Sequence, residues 1–112
     1  MIAIDIETYP NYFLIIANNG KKTKSFTLPI DTAAVKEILR KPTCGFNSMA
    51  YDLPMVEASM KDGVTHGELY QLSKRLVEEG ERVWLKGKYP KHIDLMNVAP
   101  GVGVGLKMYA AR

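Results

Sequence analysis

Ile2-Ala3-Ile4-Asp5-Ile6-Glu7 opens the chain with isoleucine at every second position, the period of a strand that buries one face. Thr8-Tyr9-Pro10-Asn11 breaks it, because Pro10 cannot donate to a ladder and also restrains Tyr9. Tyr12 to Ala17 is a nearly unbroken apolar run of β-formers and reads as a buried strand. Asn18-Asn19-Gly20 then supplies residues that tolerate positive φ in a hairpin turn. Lys24 to Leu28 alternates again, as a third and more exposed strand. Turns this short make the three strands an antiparallel meander.

Helical signals follow. Asp31 is placed to cap a helix from Thr32 to Lys41, with Ala34, Val35, Ile38 and Leu39 as its apolar stripe and Pro42 as its stop. Thr43 to Phe46 is short and β-like, and Cys44 there reads as a small buried hydrophobe. Pro54 suits the first turn of a helix running to Met60, which Asp62-Gly63 ends. Thr65 and Glu68 form a capping box for a helix to Glu79. A strand around His92 to Leu95 comes next. Gly101, Gly103 and Gly105 then form a turn into a last helix, Leu106 to Arg112. The order predicts one α/β domain with a mixed sheet over residues 1–112.

At 112 residues and 12.5 kDa the chain can bury one core without metal or disulfide staples. An apolar fraction of 46% and a charged fraction of 24% exclude a disordered or fibrous chain. The single cysteine excludes an internal disulfide framework and fits a reducing cytoplasm. No apolar run reaches membrane-spanning length, and Asp5 and Glu7 interrupt what would otherwise resemble a signal peptide. The whole net charge of +3 lies in residues 61–112, where nine Lys/Arg face six Asp/Glu. It is densest at Arg82-Val-Trp84-Leu-Lys86-Gly-Lys88-Tyr89-Pro-Lys91. Arg82, Trp84, Lys86 and Lys88 could hold phosphates and stack bases. The alternative is a solvated hairpin whose aromatic residues pack on the domain.

The acids carry the chemistry. Asp5 and Glu7, two apart on a strand, point to the same face, where like charges repel unless a divalent cation lies between them. An edge strand with a wet polar face would carry the same pair. Asp52 stands just before the proline-opened helix, as its N-cap, as a metal ligand, or as both. Asp94 reads as the cap of the turn after its strand, with a substitute acid of the site as its alternative role, and His66 and His92 read as isolated surface or turn residues. Gly101-Val-Gly-Val-Gly105 lacks the βαβ context and spacing of a dinucleotide fingerprint.

Taken together, Asp5-Ile6-Glu7-Thr8 resembles the first motif of the DEDD superfamily of 3′–5′ exonucleases, which includes the proofreading domains of DNA polymerases. Asn47-Ser-Met-Ala-Tyr51-Asp52 resembles the second: an Asn, three spacers, an aromatic residue and a metal-binding Asp. Ile93-Asp94-Leu95-Met96 is similar to the strand-then-acid segment that often follows, and Gly105-Leu106-Lys107 with Ala110-Ala111-Arg112 to the helix after it. The style is closest to exonuclease domains of phage-type DNA polymerases.

The resemblance implies an RNase H-like mixed sheet with flanking helices, lacking its last helical part, as the N-terminal portion of a larger domain. It also implies two-metal hydrolysis of phosphodiester bonds at DNA ends with Mg²⁺ or Mn²⁺. Asp5 and Glu7 would hold the metals and Asp52 would complete the second site, with Asn47 and Tyr51 as positioning residues toward nucleic acid. The partner would be single-stranded DNA or a DNA 3′ end, with a polymerase domain or replication protein alongside, no membrane, and the (host) cytoplasm as location. The third family motif, a Tyr or His base followed four or five residues later by an acid, has no match after Asp94. That departure leaves a second expectation, a truncated and inactive exonuclease-like module that binds a protein or nucleic acid as an inhibitor or assembly subunit.

Overall fold

A computed structural model describes residues 1–83, 85 and 87–97. Their order is β1 (Ile2–Tyr9), β2 (Tyr12–Asn18), β3 (Thr23–Phe26), α1 (Thr32–Leu39), β4 (Thr43–Gly45), α2 (Asp52–Ser59), α3 (His66–Glu78) and β5 (His92–Asp94), closed by a 3-10 turn at Leu95–Asn97. The five strands form one mixed sheet in the order β3-β2-β1-β4-β5. β1, β2 and β3 are the antiparallel meander; β4 pairs parallel with β1, and β5 parallel with β4. The described residues thus form an α/β fold with a five-strand mixed sheet and three helices.

β1 runs on to Tyr9, so only Pro10-Asn11 breaks the chain, and Tyr9 pairs directly with Tyr12. Pro10 costs no ladder bond in a two-residue turn, which is why the strand survives so close to it. β2 is not buried throughout: Phe13, Ile15 and Ala17 are buried, while Leu14 and Ile16 on the other face are half-buried. The Asn18-Asn19-Gly20 turn forms as its chemistry requires. Asn18 Oδ1 accepts from Gly20 N–H at 2.7 Å, Asn19 Oδ1 accepts from Lys21 and Lys22, and Gly20 takes φ +92°.

Asp31 caps α1 by accepting the Ala34 N–H at 3.1 Å. The Thr65–Glu68 capping box is complete on α3. Val35 and Leu39 of α1, Leu53, Met55 and Val56 of α2, and Leu69 and Leu76 of α3 join Ile4, Ile6, Phe13 and Ile15 in one core. Helices and core therefore lie on the Ile4/Ile6 face of the sheet. The opposite face carries exposed Asp5 and Glu7 on β1, half-buried Leu14 and Ile16 on β2, half-buried Cys44 on β4 and exposed Ile93 on β5. Cys44 is accordingly not core: in the β4 alternation it points away from the helices, while Thr43 and Gly45 point in. The Gly101–Gly105 turn and the helix from Leu106, including Tyr109, lie outside the described residues.

Candidate metal centre

Asp5 and Glu7 stand on one face of β1, opposite Ile16 and Leu14 of β2. Both are solvent-exposed, and Asp5 Oδ1 accepts the Ile6 N–H at 3.0 Å. Asp52 enters from the other side of the molecule's sequence, through a tight corner after β4. Gly45 ends that strand, Asn47 turns the chain with φ +56°, and Ser48 is wholly buried. The Ser48 carbonyl accepts the Leu53 N–H at 2.8 Å and the Asn47 carbonyl accepts the Tyr51 N–H at 3.2 Å.

Asp52 is not the N-cap of α2. Tyr51 holds that position, without a side-chain capping bond, and Asp52 is the first helical residue. The reason is local. A cap at Asp52 would need the N–H groups of residues 54 and 55. Pro54 has none, and the Met55 N–H is taken by the Tyr51 carbonyl at 3.0 Å. The Asp52 carboxyl is left buried, 7% exposed, without the donors that a capping role would bring. Burial pushes its pKa up to about 8, and the charges of Asp5 and Asp94 push the same way. Asp5, far from Asp52 in sequence, is thus near enough for its charge to act on the Asp52 carboxyl.

Tyr51 ties the two segments together. Its hydroxyl is 2.7 Å from Ser73 Oγ on α3 and donates a long bond of 3.5 Å to Thr8 Oγ1 on β1. The corner before α2 is thereby bonded to β1. Asp94 does cap a turn, and more widely than its own: it accepts N–H groups of Asn47 and Met49 in the β4–α2 corner as well as Met96. Asn47 contributes through its backbone, and its side chain is exposed.

His92 is not a surface or turn residue. It lies in β5, half-buried, with Nδ1 2.8 Å from Thr43 Oγ1 and Nε2 2.6 Å from Ser48 Oγ. Burial lowers its pKa against the opposing pull of Asp94. No sequence spacing signals this contact, because it needs the parallel β4–β5 pairing to form. Thr43 and His92 are direct partners in that register.

The basic segment divides. Arg82 is exposed, and Trp84 and Lys86 lie outside the described residues. Lys88 forms an ion pair with Glu57 of α2, and the Tyr89 hydroxyl donates to the same carboxylate. Burial raises the Glu57 pKa, but the bonds from Lys88 and Tyr89 outweigh it and the net shift is downward. Lys88 is therefore a partner of α2 rather than a free phosphate contact.

Among the described residues, no three His, Cys, Asp or Glu side chains enclose a point that would hold a metal ion. The donors nevertheless suit a hard cation: oxygen ligands from two exposed carboxylates and a buried one that burial and its neighbours disfavour as an anion. Mg²⁺ commonly binds through one or two carboxylates and completes its shell with water and substrate phosphate. No protein-family model matches the chain, and no curated protein or solved structure matches it either.

Proposed function

We propose that this chain is a metal-dependent 3′–5′ exonuclease domain that hydrolyses phosphodiester bonds at DNA ends, as in phage polymerase proofreading. One observation carries the reading: the fold brings the two separated motifs together, with Tyr51 against Thr8 and Asp52 within reach of the Asp5 charge. The antiparallel meander continued through β1 into two parallel strands, with helices alongside, supports an RNase H-like architecture. Asp5, Glu7 and Asp52 would hold Mg²⁺ or Mn²⁺. When bound, such ions supply charge that activates a water and stabilises the leaving oxygen. Tyr51, held by Ser73, fixes the start of α2 against β1 and so sets where the Asp52 carboxylate lies relative to Asp5. The α2 corner is held in turn by Asp94.

Cleavage of a 3′-labelled single-stranded oligonucleotide tests this. Mg²⁺-dependent release of the terminal nucleotide, abolished by EDTA and by Asp5→Ala or Asp52→Ala in a folded protein, is the expected result. Undiminished metal-dependent cleavage by either variant sinks the site assignment. A non-hydrolytic module that binds nucleic acid or protein is the second reading, favoured by the burial of Asp52, which disfavours the anion that a metal ligand needs. Oligonucleotide binding without cleavage, in Mg²⁺ and in EDTA alike, would select it.

A further inference from the structure

The row of side chains that carries Asp5 and Glu7 does not end with them. Period two places Tyr9 on the same face of β1, and the register sets Tyr12 directly across from it on β2. Both rings are in solvent: Tyr9 is 53% exposed and Tyr12 41%. Their centroids are 6.2 Å apart with planes tilted by 30°, so the two rings form one exposed aromatic patch. The two-residue Pro10-Asn11 turn joins the strands immediately beyond them, and the restricted φ of Pro10 keeps the pair opposed before any ligand arrives.

We infer that Tyr9 and Tyr12 form a stacking platform for the terminal bases of a single-stranded nucleic acid. The inference rests on the exonuclease reading above and adds to it the surface that would hold the substrate's end. Two residue steps along the strand, about 7 Å, take Glu7 to Tyr9, a gap that one nucleotide spans. A phosphodiester at the acids therefore puts its neighbouring base at the rings. The face offers carboxylates and aromatic rings here, so bases rather than bare phosphates are what the tyrosines can take. Aromatic stacking is tolerant of sequence, as removal of successive terminal nucleotides demands.

The test is fluorescence anisotropy on the full chain, with Ca²⁺ in place of Mg²⁺, using a single-stranded oligodeoxynucleotide and the same oligonucleotide with abasic residues at its last two 3′ positions. Wild type should bind the intact end about 5- to 100-fold more tightly. Tyr9→Ala and Tyr12→Ala should each remove most of that preference, while Tyr9→Phe and Tyr12→Phe, which keep the ring and the strand, should retain it. Equal binding of the two oligonucleotides by wild type, or a preference unchanged in both alanine variants, overturns the platform even if cleavage persists in Mg²⁺. The wild-type comparison alone decides should an alanine variant unfold. No binding of either oligonucleotide by wild type overturns the platform and the exonuclease reading together. A tyrosine pair that serves a protein partner instead would show itself as the unchanged preference.

Discussion

Asp94 Oδ1 accepts the backbone N–H of Asn47 at 2.9 Å, joining the end of β5 to the corner that leads into α2. The same carboxylate takes the Met49 N–H on Oδ2 and the Met96 N–H on Oδ1, each at 3.0 Å, and is 8% exposed. Charge-assisted bonds to a buried carboxylate are the strong kind. Asp94→Ala should therefore cost about 2–3 kcal/mol in urea unfolding. Asp94→Asn should cost less, because one acceptor oxygen remains. An unfolding midpoint for the alanine variant equal to that of wild type would show that the corner holds itself.

Asp52 makes stability depend on pH in the opposite sense from most acids. Its folded pKa, pushed up to about 8 by burial and then by Asp5 and Asp94, lies above the unfolded value of about 4. The folded state thus holds the proton more tightly, so the contribution is fully present below about pH 4 and is lost as pH rises toward 8. Asp52→Asn should flatten the melting-temperature profile over that interval and raise stability at pH 8 in EDTA, by about 1–3 kcal/mol. Mn²⁺ should raise the wild-type melting temperature most at pH 8 and leave the variant nearly unmoved. Superimposable profiles for the two proteins in EDTA contradict the assignment.

His92 contributes with the other sign. Burial holds its pKa below the ordinary value, so the unfolded chain takes up its proton first and stability from this residue falls as pH drops below about 6.5. A neutral ring can donate from one nitrogen and accept at the other, a pattern the Thr43 and Ser48 hydroxyls can meet either way. NMR titration should find the His92 ring still neutral at a pH where the urea-unfolded chain has protonated it. His92→Gln should lessen the loss of stability between about pH 6.5 and 5.

Gly45 has no room for a side chain. An added Cβ would lie 2.7 Å from Ser48 Cβ, 2.9 Å from Ser48 Oγ and 3.3 Å from the Ile4 carbonyl. Ser48 is fully buried and bonded to His92, so it cannot turn aside freely. Gly45→Ala should cost about 1–3 kcal/mol by overpacking, and the His92 ring signals should shift with it. Gly63→Ala is a useful contrast, since its added Cβ meets nothing within 4 Å and only its φ of +76° opposes the change.

Local chemistry carried much of the fold into the sequence. The alternation around Ile4, the Asn-rich turn, the Asp31 cap and the Thr65–Glu68 box each act within a few residues, and each forms where its pattern stands. The shared face of Asp5 and Glu7 belongs to the same class. No spacing along the chain brings Asp52 near Asp5, and the capping geometry its position suggests fails because Pro54 offers no N–H. Contacts between distant segments left no local trace: His92 between Thr43 and Ser48, Asp94 on the Asn47 corner, and Lys88 against Glu57. Each joins segments whose neighbourhood is set by the register of β4 and β5 or by packing on α2, not by any spacing along the chain.

The two kinds of pairing made by β1 have unequal entropic histories. Its bond to β2 closes across Pro10-Asn11, whereas its bond to β4 joins Ala3 to Cys44 over a loop that contains β2, β3 and α1. Longer loops forfeit more chain freedom on closing. Asp5 and Glu7 are consequently set by short-range contacts, and Asp52 by contacts of high contact order. A lesion in the β4–α2 corner acts on the contacts that set Asp52, and one in the Pro10-Asn11 turn on those that set Asp5 and Glu7.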